Sequence, residues 1–260
     1  MKSNYRYIVK AFMAMAVIAG TTSCDDFLDR EPMSSISPET YYSTAAQLEA
    51  NLNDEYPNVL PSFGQWTYGI FGEDKGTDNQ IEVNANDRYT QDRWKVPHSE
   101  SDNWKFERIY RINFFLSEAL PKFGEDMSGS QNTISGSVAT IKHYIGEMYF
   151  LRAYEYFKKL QLFGDFPIIN QPLADEMEAL REASKRFPRN EVARFIISDL
   201  DKAYAYMSDV DMATTRINKD VAMLVKSRVA LFEATWLQNF KGTAFVPGGE
   251  GWPGASLHNN

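Results

Sequence analysis

The sequence predicts an all-α fold for the chain beyond residue 36. Three observations predict it. Five segments repeat apolar residues at helical spacing, the stretches between them carry the Gly, Pro, Ser and Asn residues that end helices, and one of the five is apolar on nearly every side. A helix of that last kind has to be covered by other helices.

The first helical segment starts at Ser37-Pro38, with serine as N-cap and proline at the first helical position. Tyr41, Ala45, Leu48, Leu52 and Glu55-Tyr56 hold the period until Pro57 stops it. The second starts near Asp102, lines Ile109, Ile112, Leu116, Ala119 and Phe123 along one face, and ends at Gly124. Residues 128–137 form a Gly/Ser/Asn loop. The third spans residues 138–163, with Ile141, Ile145, Met148, Phe150, Tyr154, Phe157 and Leu160; Gly164 ends it and Pro167 forbids its resumption. The fourth covers residues 190–207 through Val192, Ile196, Leu200, Ala203 and Met207. The fifth covers residues 218–240 through Val221, Val225, Val229, Phe232, Trp236 and Phe240.

Helices joined in this way, one of them buried on several sides, predict antiparallel pairs stacked as an array. Ile145-Gly146-x-x-Tyr149 and Ala153-x-x-x-Phe157 echo fragments of the tetratricopeptide pattern, although not at its consensus spacing. The expected architecture is therefore a tetratricopeptide-like helical-pair array with long irregular loops. Residues 57–101 are the longest of these, holding Trp66, Tyr68, Phe71, Tyr89 and Trp94 among Gly, Asn and Asp. An irregular stretch of that length is usually functional or poorly ordered. Residues 174–186 are charged and partly helical. Residues 242–260 are rich in Gly and Pro and reach no closing element, so the chain is expected to be cut short there.

Residues 1–23 read as a lipoprotein signal peptide. Lys2, Arg6 and Lys10 precede the apolar run of residues 11–20, which is too short to span a bilayer core needing roughly 20 helical residues. Thr21-Thr22-Ser23 then lead straight into Cys24, the single cysteine of the chain. A lone cysteine at the end of such a run is the position at which a lipoprotein is cut and acylated, so Cys24 is the expected lipidation site, with residues 24–36 as lipidated cysteine and tether. The third residue before the cut is Thr21 where leucine is usual.

The formal net charge of the 260 residues is −8, and removal of the leader leaves 24 basic against 35 acidic residues. A surface that acidic excludes a nucleic-acid backbone as the expected partner. One cysteine also excludes an internal disulfide framework or a cysteine-based zinc site.

Several blocks resemble one family. Cys24-Asp25-Asp26-Phe27-Leu28-Asp29 followed by Pro32 resembles the lipobox and first mature residues of SusD/RagB-type nutrient-binding lipoproteins of Bacteroidetes outer membranes. Trp104, Ile109-Tyr110 and Ile112-Asn113 resemble that family's second helix. Its most recognisable block resembles Glu147-x-x-Phe150-Leu151-Arg152-Ala153-Tyr154-x-Tyr156-Phe157 with Phe163-Gly164-Asp165-x-Pro167. Ser198-Asp199-Leu200 with Ala203, and Ala230-Leu231-Phe232-Glu233-Ala234, follow in the same order. The resemblance covers residues 24–234 and makes residues 37–260 a SusD-like helical domain. It implies a lipid-anchored outer-membrane protein facing the extracellular side, binding a nutrient, usually a glycan, as partner of a SusC-type TonB-dependent transporter. Members of the family are considerably longer, and residues 174–186 match none of its blocks.

No catalytic constellation accompanies this. His98, His143 and His258 lie far apart, and no HExxH, GxSxG or P-loop motif occurs. Asp209-x-Asp211 starts like a calcium loop but puts Ala213 at the third ligand position. Glu73, Asp74 and Asp78 are a carboxylate cluster that a glycosidase could use, and that a solvated loop contains more often. The chain is therefore expected not to be an enzyme and to need no metal or cofactor. Binding suits the aromatics better, because sugar rings stack on Trp and Tyr while their hydroxyls bond Asn, Asp and Arg. Trp66, Tyr68, Asp74, Asp78, Asn79, Arg88 and Trp94 offer that mixture as ligand or transporter contacts; any single ring reads slightly better as packing, and the segment as a whole reads better as holding at least one such contact. Trp104, Phe157 and Trp236 read as core. Arg152, inside the most buried helix, requires an ion-pair partner, with Glu147, Asp165 and Asp199 as candidates. The alternative reading is a lipid-anchored protein-interaction scaffold without glycan binding.

Overall fold

The structure is a computed structural model that describes residues 41–61, 103–124, 126–208 and 215–256. All the described elements belong to the unit of residues 42–260. Among the described residues the fold is all-α: six helices, one short 3-10 turn over Pro253–Ser256, and two isolated bridges.

Helix α1, Ala45–Val59, begins later than its sequence predicts. Thr44 closes a capping box with Gln47, satisfying two N-terminal amides at once. Pro57 lies within its last turn and does not stop it, because the helix ends two residues later anyway. Helix α2, Glu107–Phe123, also starts late, and Trp104 precedes it rather than lying in its period. Helix α3 is Val138–Phe163, the boundaries read from sequence, and seventeen of its residues are buried. Gly164 caps it at φ +69°, a left-handed conformation that glycine adopts without strain. Helix α4, Met177–Ala183, is the helical part of the charged stretch. Helices α5, Arg189–Tyr206, and α6, Lys219–Asn239, complete the set, α6 being capped by Asn218.

The packing is antiparallel along the chain. On α3 and α5, Gly146 meets the Ala203 and Met207 backbone, Arg152 meets Asp199, and Tyr156 meets Phe195. On α5 and α6, Arg189 pairs with Glu233 and Asp201 with Lys226. On α2 and α3, Asn113 faces Arg152 and Arg108 faces Glu155. Helix α3 lies at the centre, which explains its apolar circumference. Phe157 is 3 % exposed, in the core as expected. The expected stripe of α6 is mostly covered: Val229 is buried and Val225, Phe232, Trp236 and Phe240 are half-buried, whereas Val221, at its start, is exposed and Ala222 is buried instead. Its Trp236 is only half-buried, as is Trp104.

Two buried polar nodes knit the helices. The Arg152 guanidinium donates to both oxygens of Asp199, at 2.6 and 2.8 Å, and to Asn113 and the Asn170 carbonyl. Of the three carboxylates considered, Asp199 is thus the partner. Glu147 instead accepts from Arg216 at 2.8 and 2.7 Å and from the Tyr56 hydroxyl at 2.7 Å. Asp165 accepts from the Arg189 amide and from Trp252 Nε1, which docks the stretch after α6 back onto the end of α3. His143 Nδ1 accepts the Ser208 amide, so its proton resides on Nε2, which faces the Ile217 carbonyl at 3.0 Å.

Candidate functional site

The segment after α3 builds one wall of a groove. Phe166 and Phe187 exchange backbone hydrogen bonds at 3.1 and 3.0 Å, closing residues 167–186 into a loop that contains α4. Beneath the loop, Tyr156 donates its hydroxyl to the Ile169 carbonyl at 3.0 Å and accepts the Ile169 amide at 2.8 Å. Burial pushes the Tyr156 hydroxyl well above the ordinary phenol range, so it stays protonated and keeps that donor. Asn113 adds a bond from Nδ2 to the same carbonyl at 2.9 Å. Both residues lie at the Arg152 node, so the buried ion pair is continuous with the groove's floor.

The groove has a volume of about 360 Å³. Trp104, Phe106, Ile109 and Tyr110 form one side, Pro167, Ile169, Gln171 and Leu173 the floor, and Leu180 and Ala183 of α4, with its C-cap Ser184, the other side. Trp104 stands edge-on to Phe163 and Phe166, with ring centroids 4.8 and 4.9 Å away, and carries the Arg186 guanidinium over its ring at 4.6 Å. Tyr110 is half exposed and stacks on Phe114. The result is a concave aromatic surface whose lining also includes the side chains of Gln171, Asp175 and Ser184. Such a mixture holds a ligand that has apolar faces and hydroxyl edges. Among the described residues, no group of three or more His, Cys, Asp or Glu side chains could hold a metal.

The residues singled out from sequence, Cys24, Trp66, Tyr68, Asp74, Asp78, Asn79, Arg88 and Trp94, all lie outside the described residues. The groove begins at Trp104, directly beyond the long irregular segment. Sequence reasoning missed it by assigning Trp104 to the core and leaving residues 174–186 without a role. The available signal was an aromatic cluster, Trp104, Phe106 and Tyr110, placed ahead of and at the start of a helix, where the hydrophobic stripe does not require it.

A family model described as SusD-like, starch-binding associating with outer membrane, matches residues 26–231. The chain belongs to the SusD-like family. Among curated SusD-like proteins of Formosa agariphila, SusD-like protein P2 is 25% identical over 93% of this chain and 46% of its own length. SusD-like protein P25 is 25% identical over 82% of this chain and 41% of its own length. The SusD-like chain thus spans about half the length of the curated relatives it matches. The fold agrees with solved structures. A SusD-like protein of Bacteroides fragilis gives a TM-score of 0.55 at 21% identity, over 80% of this chain and 38% of that one. A SusD-like carbohydrate binding protein of Bacteroides vulgatus gives 0.50 at 16% identity, over 75% and 43% of the two chains. The all-α, tetratricopeptide-like architecture is therefore that of the SusD-like proteins.

Proposed function

We propose that this chain belongs to a surface lipoprotein that binds a glycan and passes it to a SusC-type TonB-dependent transporter. The groove carries the reading: an aromatic trough with Gln171, Asp175 and Ser184 in its lining suits the apolar faces and hydroxyl edges of sugar rings. Membership of a family described as starch-binding and outer-membrane-associated supports it, as does the SusD-like neighbour named for carbohydrate binding. Trp66, Tyr68, Asp74, Asp78, Asn79, Arg88 and Trp94 extend the same chemistry into the segment that ends where the groove begins. Cys24 supplies the outer-membrane anchor through its acyl chains, with the domain facing outwards. No helix of the described residues is long and apolar enough to cross a membrane.

The test is titration of the protein with a panel of neutral oligosaccharides, read by tryptophan fluorescence, alongside Tyr110→Ala. Tyr110 is half exposed, so its loss should leave the fold intact and weaken binding about tenfold or more, as loss of a central aromatic contact does. Unchanged affinity in Tyr110→Ala would remove the groove from the site. Labelled palmitate should enter the wild type and not Cys24→Ala, and normal acylation of that variant would overturn the anchor.

A further inference from the structure

Residues 103–110 have two sides. Trp104, Phe106, Ile109 and Tyr110 line the aromatic groove, whereas Asn103, Lys105, Glu107 and Arg108 line a different cavity of about 430 Å³. The facing wall of that second cavity is the C-terminal half of α3, with Glu155, Lys158 and Lys159. Its volume is within the range typical of small-ligand sites, roughly 300–1,000 Å³.

Glu155, 3 % exposed, is the electrostatic centre. The Lys158 ammonium stands 2.5 Å from its Oε2, the Lys159 ammonium 3.4 Å from its Oε1, and the Arg108 guanidinium 4.0 Å from Oε2. Three cations thus converge on one carboxylate. Lys158 and Lys159 also donate to backbone carbonyls, those of Val59 and Asn103, at 2.9 and 2.7 Å, which fixes them at the cavity wall. Arg108 is different: its side chain is 47% exposed, and it donates no hydrogen bond among the described residues. Its five N–H donors are therefore available to a ligand. Among the described lining side chains, Arg108, Lys158 and Lys159 outnumber the carboxylates Glu107 and Glu155, on a chain of net charge −8. Concave walls focus such a local field.

We propose that this cavity receives the carboxylate or sulfate group of an acidic glycan, with Arg108 as the principal contact. The inference rests on the glycan-binding reading and narrows its substrate class from neutral to anionic sugars. Arg108 matches a planar or tetrahedral oxyanion with paired donors, and Lys158 and Lys159 add positive charge behind it. Burial pushes the Lys159 ammonium below the ordinary lysine range while Glu155 draws it back, so an incoming anion reinforces the charged form.

The experiment is calorimetric titration of the whole chain with four probes: a galacturonic acid trimer, a sulfated galactose oligomer, neutral galactotriose, and sodium sulfate. In about 25 mM NaCl, at least one acidic sugar should bind about tenfold more tightly than galactotriose, and about 250 mM NaCl should erase most of that advantage. Arg108→Ala should lower the acidic sugar's affinity about tenfold, the usual effect of one charge-assisted contact, while leaving galactotriose binding and the melting temperature unchanged. Arg108→Lys should recover part of the loss. The two acidic probes separate carboxylate from sulfate. Neutral binding without any acidic advantage overturns this inference alone, as does a loss in Arg108→Ala that is equal for all probes. Sodium sulfate binding as tightly as the sulfated sugar would assign the cavity to a free anion and overturn the sugar. Failure of every saccharide would overturn the glycan-binding reading together with this one.

Discussion

Arg152 on α3 and Asp199 on α5 meet in a bidentate pair at 2.6 and 2.8 Å, both side chains buried, and the same guanidinium also reaches Asn113 on α2 and the Asn170 carbonyl. One side chain therefore ties three helices and the groove floor together. Removing one partner strands the other charge inside the protein. Asp199→Ala should cost about 3–5 kcal/mol in urea denaturation, the range for breaking a buried pair. A loss under about 1 kcal/mol would show that solvent reaches the site and that the node does not hold the helices.

Gly146 tests the close approach of α3 to α5. A methyl group there would stand 2.8 Å from the Met207 amide nitrogen and 2.9 Å from the Ala203 carbonyl oxygen, both backbone atoms that cannot swing aside. Gly146→Ala should destabilise by about 1–3 kcal/mol, although alanine is the better helix former. Phe157→Ala, which opens a void beside Phe232, should cost roughly 3–5 kcal/mol. Thermal melts of the two variants check both, and stabilisation by Gly146→Ala would mean that the helices sit farther apart.

Trp236 separates half-burial from core. It lies beneath the Arg189 guanidinium, 4.1 Å from the ring centroid, and beside Phe240. Its sequence period alone assigns it a full core cost. The observed burial and the cation–π contact give a smaller one, about 1–2 kcal/mol for Trp236→Ala. A loss above about 4 kcal/mol in chemical denaturation would restore the core assignment.

Glu55 sets the direction of one pH dependence. It is 1% exposed, and burial pushes its carboxyl above the ordinary value of 4.5 while Arg111, 2.5 Å away, draws it down. Between the ordinary and the raised value, the folded chain binds more protons than the unfolded chain. This carboxyl's contribution to stability therefore falls as pH rises through that window, and the penalty is complete above the raised value. Glu233, raised by burial against Arg189, has the same sign. Glu55→Gln should flatten the stability profile as pH rises above about 4.5 and leave the Glu233 share. An unchanged slope in urea midpoints would place the titration elsewhere.

Much of the scaffold was legible because it depends on local signals. A Gly/Ser loop before Val138 and glycine at 164 bound α3 correctly, and the hydrophobic circumference of α3 announced its central place. Errors arose where two local signals competed. Ser37-Pro38 resembles a helix start, but Thr44-x-x-Gln47 offers reciprocal hydrogen bonds and begins the described helix. On α6 the stripe from Val225 to Phe240 was read correctly, and only its start was misplaced, where Val221 and Ala222 lie one position apart and Ala222 is the buried one. The groove was the least legible part. Its walls come from residues some seventy positions apart, brought together by the Phe166–Phe187 bridge and the Tyr156–Ile169 bonds, and no pattern in the intervening residues encodes either contact. Arg152 showed that a buried partner had to exist, but choosing Asp199 over Glu147 or Asp165 required the helix register.

The paired bonds between Tyr156 and Ile169 have a kinetic consequence. A floor already stapled to the central helix has no folding step left to complete when a molecule arrives. Under the proposed function, capture would then be governed by diffusion and orientation, with association rates on the order of 10⁵–10⁷ M⁻¹s⁻¹. Discrimination among sugars of like charge would fall to residence time, those that match the groove leaving last.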